Sequence, residues 1–149
     1  MSSDKLAKEM AFLSCEIAKC CDKKESLFAA SFNLTPAEFK CLRLFTDSHQ
    51  LPIKSLITEL ALTPGRITHI LTSLEAKKYI TRSIDSNDKR NIIVKLTKKS
   101  KPLIEKLNTE HIKIHKEILG NIPASERPTV ISAMKNVITA LRSWSNKKS

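Results

Sequence analysis

The sequence predicts a mainly α-helical chain that carries one small β-hairpin. Three observations predict this. Glycine occurs only at Gly65 and Gly120, and a chain so poor in breakers favours helices over a turn-rich β-sandwich. Apolar residues recur at alternating steps of three and four through both ends of the chain, the spacing of a helical face. Between Ile80 and Leu96 that period gives way to two, the spacing of a half-buried strand.

From about Asp4 to Phe32, Leu6, Met10, Leu13, Ile17 and Cys20 form a heptad-like stripe along one long helix. Thr35 then offers an N-cap, Pro36 stands at the first helical position, Glu38 closes a capping box, and Leu34 can staple onto Phe39. Phe39, Cys41, Leu42 and Phe45 mark the buried face of this second helix, which fades at Asp47-Ser48. A short third helix is expected to open at Leu51-Pro52, with Leu56, Ile57 and Leu60 inside. Thr63-Pro64 repeats the cap-plus-proline signal three residues after Leu60, so a tight turn joins the third helix to a fourth. The fourth helix buries Ile67, Ile70, Leu71 and Leu74. Its opposite face carries Gly65, Thr68, His69 and Thr72, flanked by Arg66 and Ser73.

Ile80, Arg82 and Ile84, then Ile92, Val94 and Leu96, alternate with polar neighbours around the polar tip 85–91. Helix, tight turn, capped helix and hairpin together make a winged helix-turn-helix over about residues 35–100. Two long helices finish the chain. One carries Ile104, Leu107, His111, Ile114 and Ile118, and the other Val130, Met134, Val137, Leu141 and Trp144. Long helices need partners to bury such stripes, and the simplest partner is a second copy of the chain. Residues 1–149 therefore read as a single domain, with dimerisation helices over about 4–32 and 101–147.

Charge narrows the partners. Lys and Arg outnumber Asp and Glu by 26 to 15, for a net charge of +11 and an expected affinity for a polyanion. The surplus is concentrated. Residues 63–101 hold ten basic and three acidic side chains, whereas the other 110 residues hold sixteen and twelve. Two glycines exclude the glycine-rich phosphate cradles of nucleotide-binding proteins. No apolar run approaches the ~18 residues of a membrane span and no secretory apolar segment follows Met1, so a cytoplasmic protein without membrane contact is expected. Cys15, Cys20, Cys21 and Cys41 lack CxxC spacing and make no disulfide framework, and no cofactor is expected. An enzyme would need a nucleophile beside a base. Cys41 and His49 are the nearest pair, but Cys41 falls on a buried helical face, so the chain is not expected to be an enzyme.

The stretch from Leu60-Ala61-Leu62-Thr63-Pro64-Gly65-Arg66-Ile67-Thr68-His69 to Leu74-Glu75-Ala76-Lys77-Lys78-Tyr79-Ile80-Thr81-Arg82 resembles the recognition helix and wing base of the MarR family of bacterial transcriptional regulators. Asp88-Lys89-Arg90 followed by Val94-Lys95-Leu96-Thr97 is similar to its wing signature. The chain differs from the family's usual glycine at Tyr79 and Ser100, and from its frequent basic residue at His69. The resemblance implies a homodimer on a pseudo-palindromic double-stranded operator, with one recognition helix in each major groove and wing tips in flanking minor grooves.

The residues agree with that expectation. Pro64, Gly65, Arg66, Thr68, His69, Thr72 and Ser73 form the expected reading surface, at the end of the helix where base edges are reached. Gly65 permits close backbone approach, and a helix N-terminus favours phosphate. Arg90 suits the negative potential of a minor groove, with Asp88 orienting it through a charge-assisted pair. Lys89, Arg82, Lys95, Lys98 and Lys99 are expected to contact phosphates.

The resemblance also implies a repressor released by a small apolar or phenolic effector, bound where the first and fifth helices meet the winged module. His111, alone on an apolar stripe, is a candidate polar group there. The alternatives are an oxidant sensor using Cys15, Cys20 or Cys21, and a structural DNA-coating protein that needs no ligand. Oxidant sensing is disfavoured by the acidic Glu16 beside Cys15 and by the resemblance itself, whose oxidant-sensing members surround their cysteine with tyrosines, whereas this chain's one tyrosine is Tyr79 in the wing. His111 and His115 share a helix face and could chelate, but a third and fourth ligand would have to come from another helix, such as Cys20, Cys21 or Glu25, and no metal site is expected.

Overall fold

The computed structural model describes residues 2–149. The elements run α1 (Ser3–Ser31), α2 (Pro36–Arg43), β1 (Gln50–Pro52), α3 (Ile53–Leu60), α4 (Pro64–Ala76), β2 (Ile80–Ile84), β3 (Ile92–Leu96), α5 (Ser100–Gly120) and α6 (Arg127–Lys148), with a 3₁₀ turn at Ala124–Glu126 before α6. The mainly α chain with a winged helix-turn-helix and long terminal helices is therefore the observed fold. It divides into two compact units, Met1–Leu107 and Asn108–Ser149.

The core lies in the first unit, where α2 packs against α1, α3 and α4, and α4 packs against β2. Phe28, Phe39, Leu42, Leu56, Ile67, Leu71, Leu74, Ile80 and Val94 are buried there. Phe28 meets Phe39 edge to face at 5.2 Å between ring centroids, pinning α1 to α2. The capping box forms as its residues dictate. Thr35 Oγ1 accepts from the Glu38 backbone N–H at 3.1 Å, and Glu38 Oε1 accepts from the Thr35 N–H at 2.8 Å.

Two boundaries differ from the expectation. Leu51-Pro52 does not open a helix; Gln50–Pro52 is a strand that pairs antiparallel with β3, Leu51 opposite Val94, and α3 starts at Ile53. The sheet order is β1-β3-β2, so β1 is an edge strand, and an edge tolerates Pro52 because its missing N–H is not needed there. The second helix ends at Arg43, before Asp47-Ser48. Leu44 N–H and Phe45 N–H bond to Cys41 and Leu42, three residues back, so the last turn tightens and Phe45 stays in the core outside the helix.

In the second unit, Arg127 Nε donates to the Leu119 and Ile122 carbonyls at 3.1 and 2.9 Å, a cation closing the end of α5. No described residue of α6 is buried. Met134, Val137, Leu141 and Trp144 are exposed along it, as are Leu6, Met10, Leu13 and Ile17 along α1. No helix among the described residues is long and apolar enough to cross a membrane.

Candidate nucleic-acid interface

Ala61 ends α3 in the left-handed region at φ 52°, and two residues later Thr63 caps α4, its Oγ1 accepting from the Arg66 backbone N–H at 3.3 Å. That turn leaves Ile67, Ile70, Leu71 and Leu74 buried, and Pro64, Gly65, Arg66, Thr68, His69 and Thr72 exposed on the other side. A Cβ added at Gly65 meets nothing within 4 Å, so packing inside the chain does not require glycine there. The open space at Gly65 leaves room for an outside surface to approach the backbone.

Ser73 departs from its expected place in this surface. It is half-buried, and its hydroxyl donates to Glu38 Oε2 at 2.9 Å. Glu38, 1% exposed, also accepts from Lys77 Nζ at 2.9 Å, and Lys77 Nζ donates to the Asn33 carbonyl at 2.8 Å. Burial pushes the Glu38 carboxyl up, but Lys77, the Thr35 N–H and Ser73 together outweigh it and hold its pKa below the ordinary value. The carboxylate thus ties the start of α2 to the last turn of α4 at Ser73 and to its C-cap residue Lys77. No local sequence signal finds this link, because Glu38 and Ser73 are 35 residues apart.

The wing forms in the expected register, with Ile80 opposite Leu96, Arg82 opposite Val94 and Ile84 opposite Ile92. Arg82 is engaged inside the protein. Its Nε pairs with Glu75 and its Nη2 donates to Thr72 Oγ1 at 3.2 Å, so it braces the wing against α4. Lys99 is likewise engaged. Its Nζ donates to the Lys77 carbonyl at 3.1 Å and lies 5.0 Å from the centre of the Tyr79 ring. Lys89, Lys95 and Lys98 are exposed.

At the wing tip Asp88 Oδ1 accepts from the Arg90 backbone N–H at 3.1 Å and from Arg90 Nε at 3.2 Å. These bonds, backbone first, hold the Asp88 carboxyl below the ordinary carboxylate range. Asp88 therefore shapes the tip and aims Arg90, whose side chain is 90% exposed.

The candidate sensors are scattered. Cys15, Cys20 and Cys21 are exposed on α1. Cys41 is buried, and burial, with the Glu38 charge, pushes its thiol up to about 12, whereas His49 is exposed. The His111 and His115 rings lie 4.4 Å apart between centroids with their planes tilted by 58°, and His115 Nδ1 lies 2.7 Å from the His111 carbonyl. Among the described residues no three His, Cys, Asp or Glu side chains are grouped to hold a metal ion.

A tightly joined helix pair, a recognition-type helix with a free outer face and a basic wing define a winged helix-turn-helix protein of the DNA-binding class. Residues 34–92 match the MarR family model. The chain is 28% identical over 143 residues to the HTH-type transcriptional regulator SarZ of Staphylococcus aureus (strain USA300), covering 96% of this chain and 95% of that one. Among solved structures it resembles wild-type MarR from E. coli in its apo form, with a TM-score of 0.75 and 25% identity over 85% of this chain and 94% of that one. A MarR mutant from E. coli complexed with operator DNA shares the fold, with a TM-score of 0.72 and 23% identity over 92% and 99% of the two chains. The chain thus carries a MarR-family match over residues 34–92 and resembles MarR-type transcriptional regulators in sequence and fold over most of its length.

Proposed function

We propose that two copies of this chain bind a pseudo-palindromic duplex operator as a repressor, with each α4 in a major groove and each wing tip in a flanking minor groove. A single observation carries the reading: the exposed outer face of α4 stands braced to a basic wing whose tip presents Arg90, aimed by Asp88. Pro64, Gly65, Arg66, Thr68, His69 and Thr72 form the reading surface, Arg90 the minor-groove contact, and Lys89, Lys95 and Lys98 the phosphate contacts. Ser73, Arg82 and Lys99 hold the frame. The DNA-complexed MarR mutant supports the reading through its shared fold.

The test is affinity for a selected duplex, measured by fluorescence anisotropy across a salt series. Arg90→Ala is expected to weaken binding to every sequence by about 1–3 kcal/mol. Lys98→Ala is expected to lower the salt slope by about one unit without changing sequence preference. Unchanged affinity of Arg90→Ala at physiological salt contradicts the wing assignment.

A small apolar or phenolic effector is proposed to release the DNA by binding the non-operator spacing more tightly; a hundredfold difference is about 2.7 kcal/mol. An open cleft of about 470 Å³ in the first unit is a candidate place for it, lined by Phe39, Leu44 and Leu60 beside Lys40, Arg43, Glu25 and Glu59; it lies among the first three helices and includes no residue of α5, unlike the expected position. The exposure of Cys15, Cys20 and Cys21 favours a second reading, release by oxidation. A variant with all four cysteines changed to serine separates the two. If peroxide frees the native chain but not the variant, oxidation is the signal. If peroxide frees neither and a phenolic acid frees both, the effector reading holds.

A further inference from the structure

We propose, resting on the duplex-binding reading above, that α4 recognises thymine through the γ-methyl groups of Thr68 and Thr72 and not through their hydroxyls. The helix carries three hydroxyl side chains, Thr68, Thr72 and Ser73. A hydroxyl has one proton to donate, and each of the three spends it inside the protein. Thr68 Oγ1 donates to the Pro64 carbonyl at 3.0 Å, Thr72 Oγ1 to the Thr68 carbonyl at 2.8 Å, and Ser73 Oγ to Glu38 Oε2 at 2.9 Å. Donation from these groups to guanine N7 and O6, or to thymine O4, first requires breaking an internal bond.

Thr72 is committed further. Its oxygen accepts from Arg82 Nη2 at 3.2 Å, and Arg82 is itself held by Glu75. Bonding to the carbonyl four residues back draws each threonine Oγ1 against the preceding turn of the helix. On an exposed threonine the γ-methyl is then the group left to meet a base edge, and Thr68 and Thr72 are both exposed. In the major groove the C5-methyl is what thymine alone presents, and a threonine methyl is one of the groups that packs on it. The two methyl groups stand one helical turn apart, about 6 Å along the axis, so they can address two separate thymines. Donor contacts to guanine fall to Arg66 and His69, which are exposed beside them.

The test begins with a site selected from random duplex DNA by the full-length protein. Each thymine of a half-site is then replaced singly by deoxyuridine, which removes the C5-methyl and keeps every hydrogen-bonding group. At one or two thymines per half-site the dissociation constant should rise about fourfold, the size expected for one buried methyl-sized group, with little change elsewhere. Thr68→Val and Thr72→Val keep the methyl, and the deoxyuridine penalty should survive in each, measured as a ratio within the variant because Thr72→Val also removes the acceptor for Arg82. Thr68→Ser and Thr72→Ser keep the hydroxyl, and each should erase the penalty at one position. Deoxyuridine tolerated at every thymine overturns the proposal and leaves the duplex-binding reading intact. So does selectivity that serine preserves and valine destroys. If the selection enriches no sequence at all, the duplex-binding reading fails together with this one, and it fails before any base is altered.

Discussion

Replacing Trp144 or Leu13 with glutamate is expected to convert the protein to a monomer and to abolish operator binding in the same step. Trp144 is 63% exposed and Leu13 49%, and both lie on stripes that run the length of their helices. Helices of 22 and 29 residues with their apolar positions in water are not stable arrangements on their own account. Each large side chain on such a stripe contributes roughly 1.5–3 kcal/mol when a partner covers it. A carboxylate placed there must instead be desolvated without a partner, which reverses the sign. Because the two half-sites are then engaged independently, affinity should fall by about a hundredfold or more. Sedimentation at micromolar concentration checks the first half, and gel shift with the selected duplex the second. A variant that stays dimeric, or a native chain that is monomeric, contradicts the assignment of these stripes to a second copy.

Glu38→Ala is expected to destabilise the first unit by about 3 kcal/mol, since it leaves Lys77 with only the Asn33 carbonyl as partner and unmakes the reciprocal half of the α2 cap and the tie to Ser73. For a chain of this size that is a fall in Tm of about 10 °C. The pH dependence has a definite sign. The folded Glu38 carboxyl titrates below its ordinary value of 4.5, so the stabilisation is full above that pH and is lost as pH falls through it toward the folded pKa. The deficit of Glu38→Ala should therefore shrink on acidification below about pH 4.5. A deficit that is constant from pH 7 to pH 3 in urea titrations is evidence against the charged link.

What the sequence makes legible here is local. The caps at Thr35 and Thr63 and the hairpin register could be read because each signal lies within a few residues of the bonds it makes. The buried and exposed faces of α4 were legible for the same reason, as 100° per residue sorts them. Strand β1 was not legible, since three residues give no periodicity and its partner Val94 lies more than forty positions on. Pro52 there reads equally well as the start of a helix or the end of an edge strand. Ser73, Arg82 and Lys99 look like free polar groups in sequence, yet their partners Glu38, Glu75 and Lys77 are set by tertiary packing. Net charge locates a basic segment but does not say which of its cations are already committed.

The most direct measurement is selection of bound sites from random duplex DNA by the native chain, followed by sequencing of the enriched pool. Two recognition helices related by a two-fold axis predict a symmetric motif, its half-sites about 10–10.5 base pairs apart from centre to centre or a multiple of that. The same selection with His69→Ala should shift the preferred bases inside each half-site while leaving the spacing unchanged. A pool with no enriched motif, or with one asymmetric element and no second half, contradicts the account.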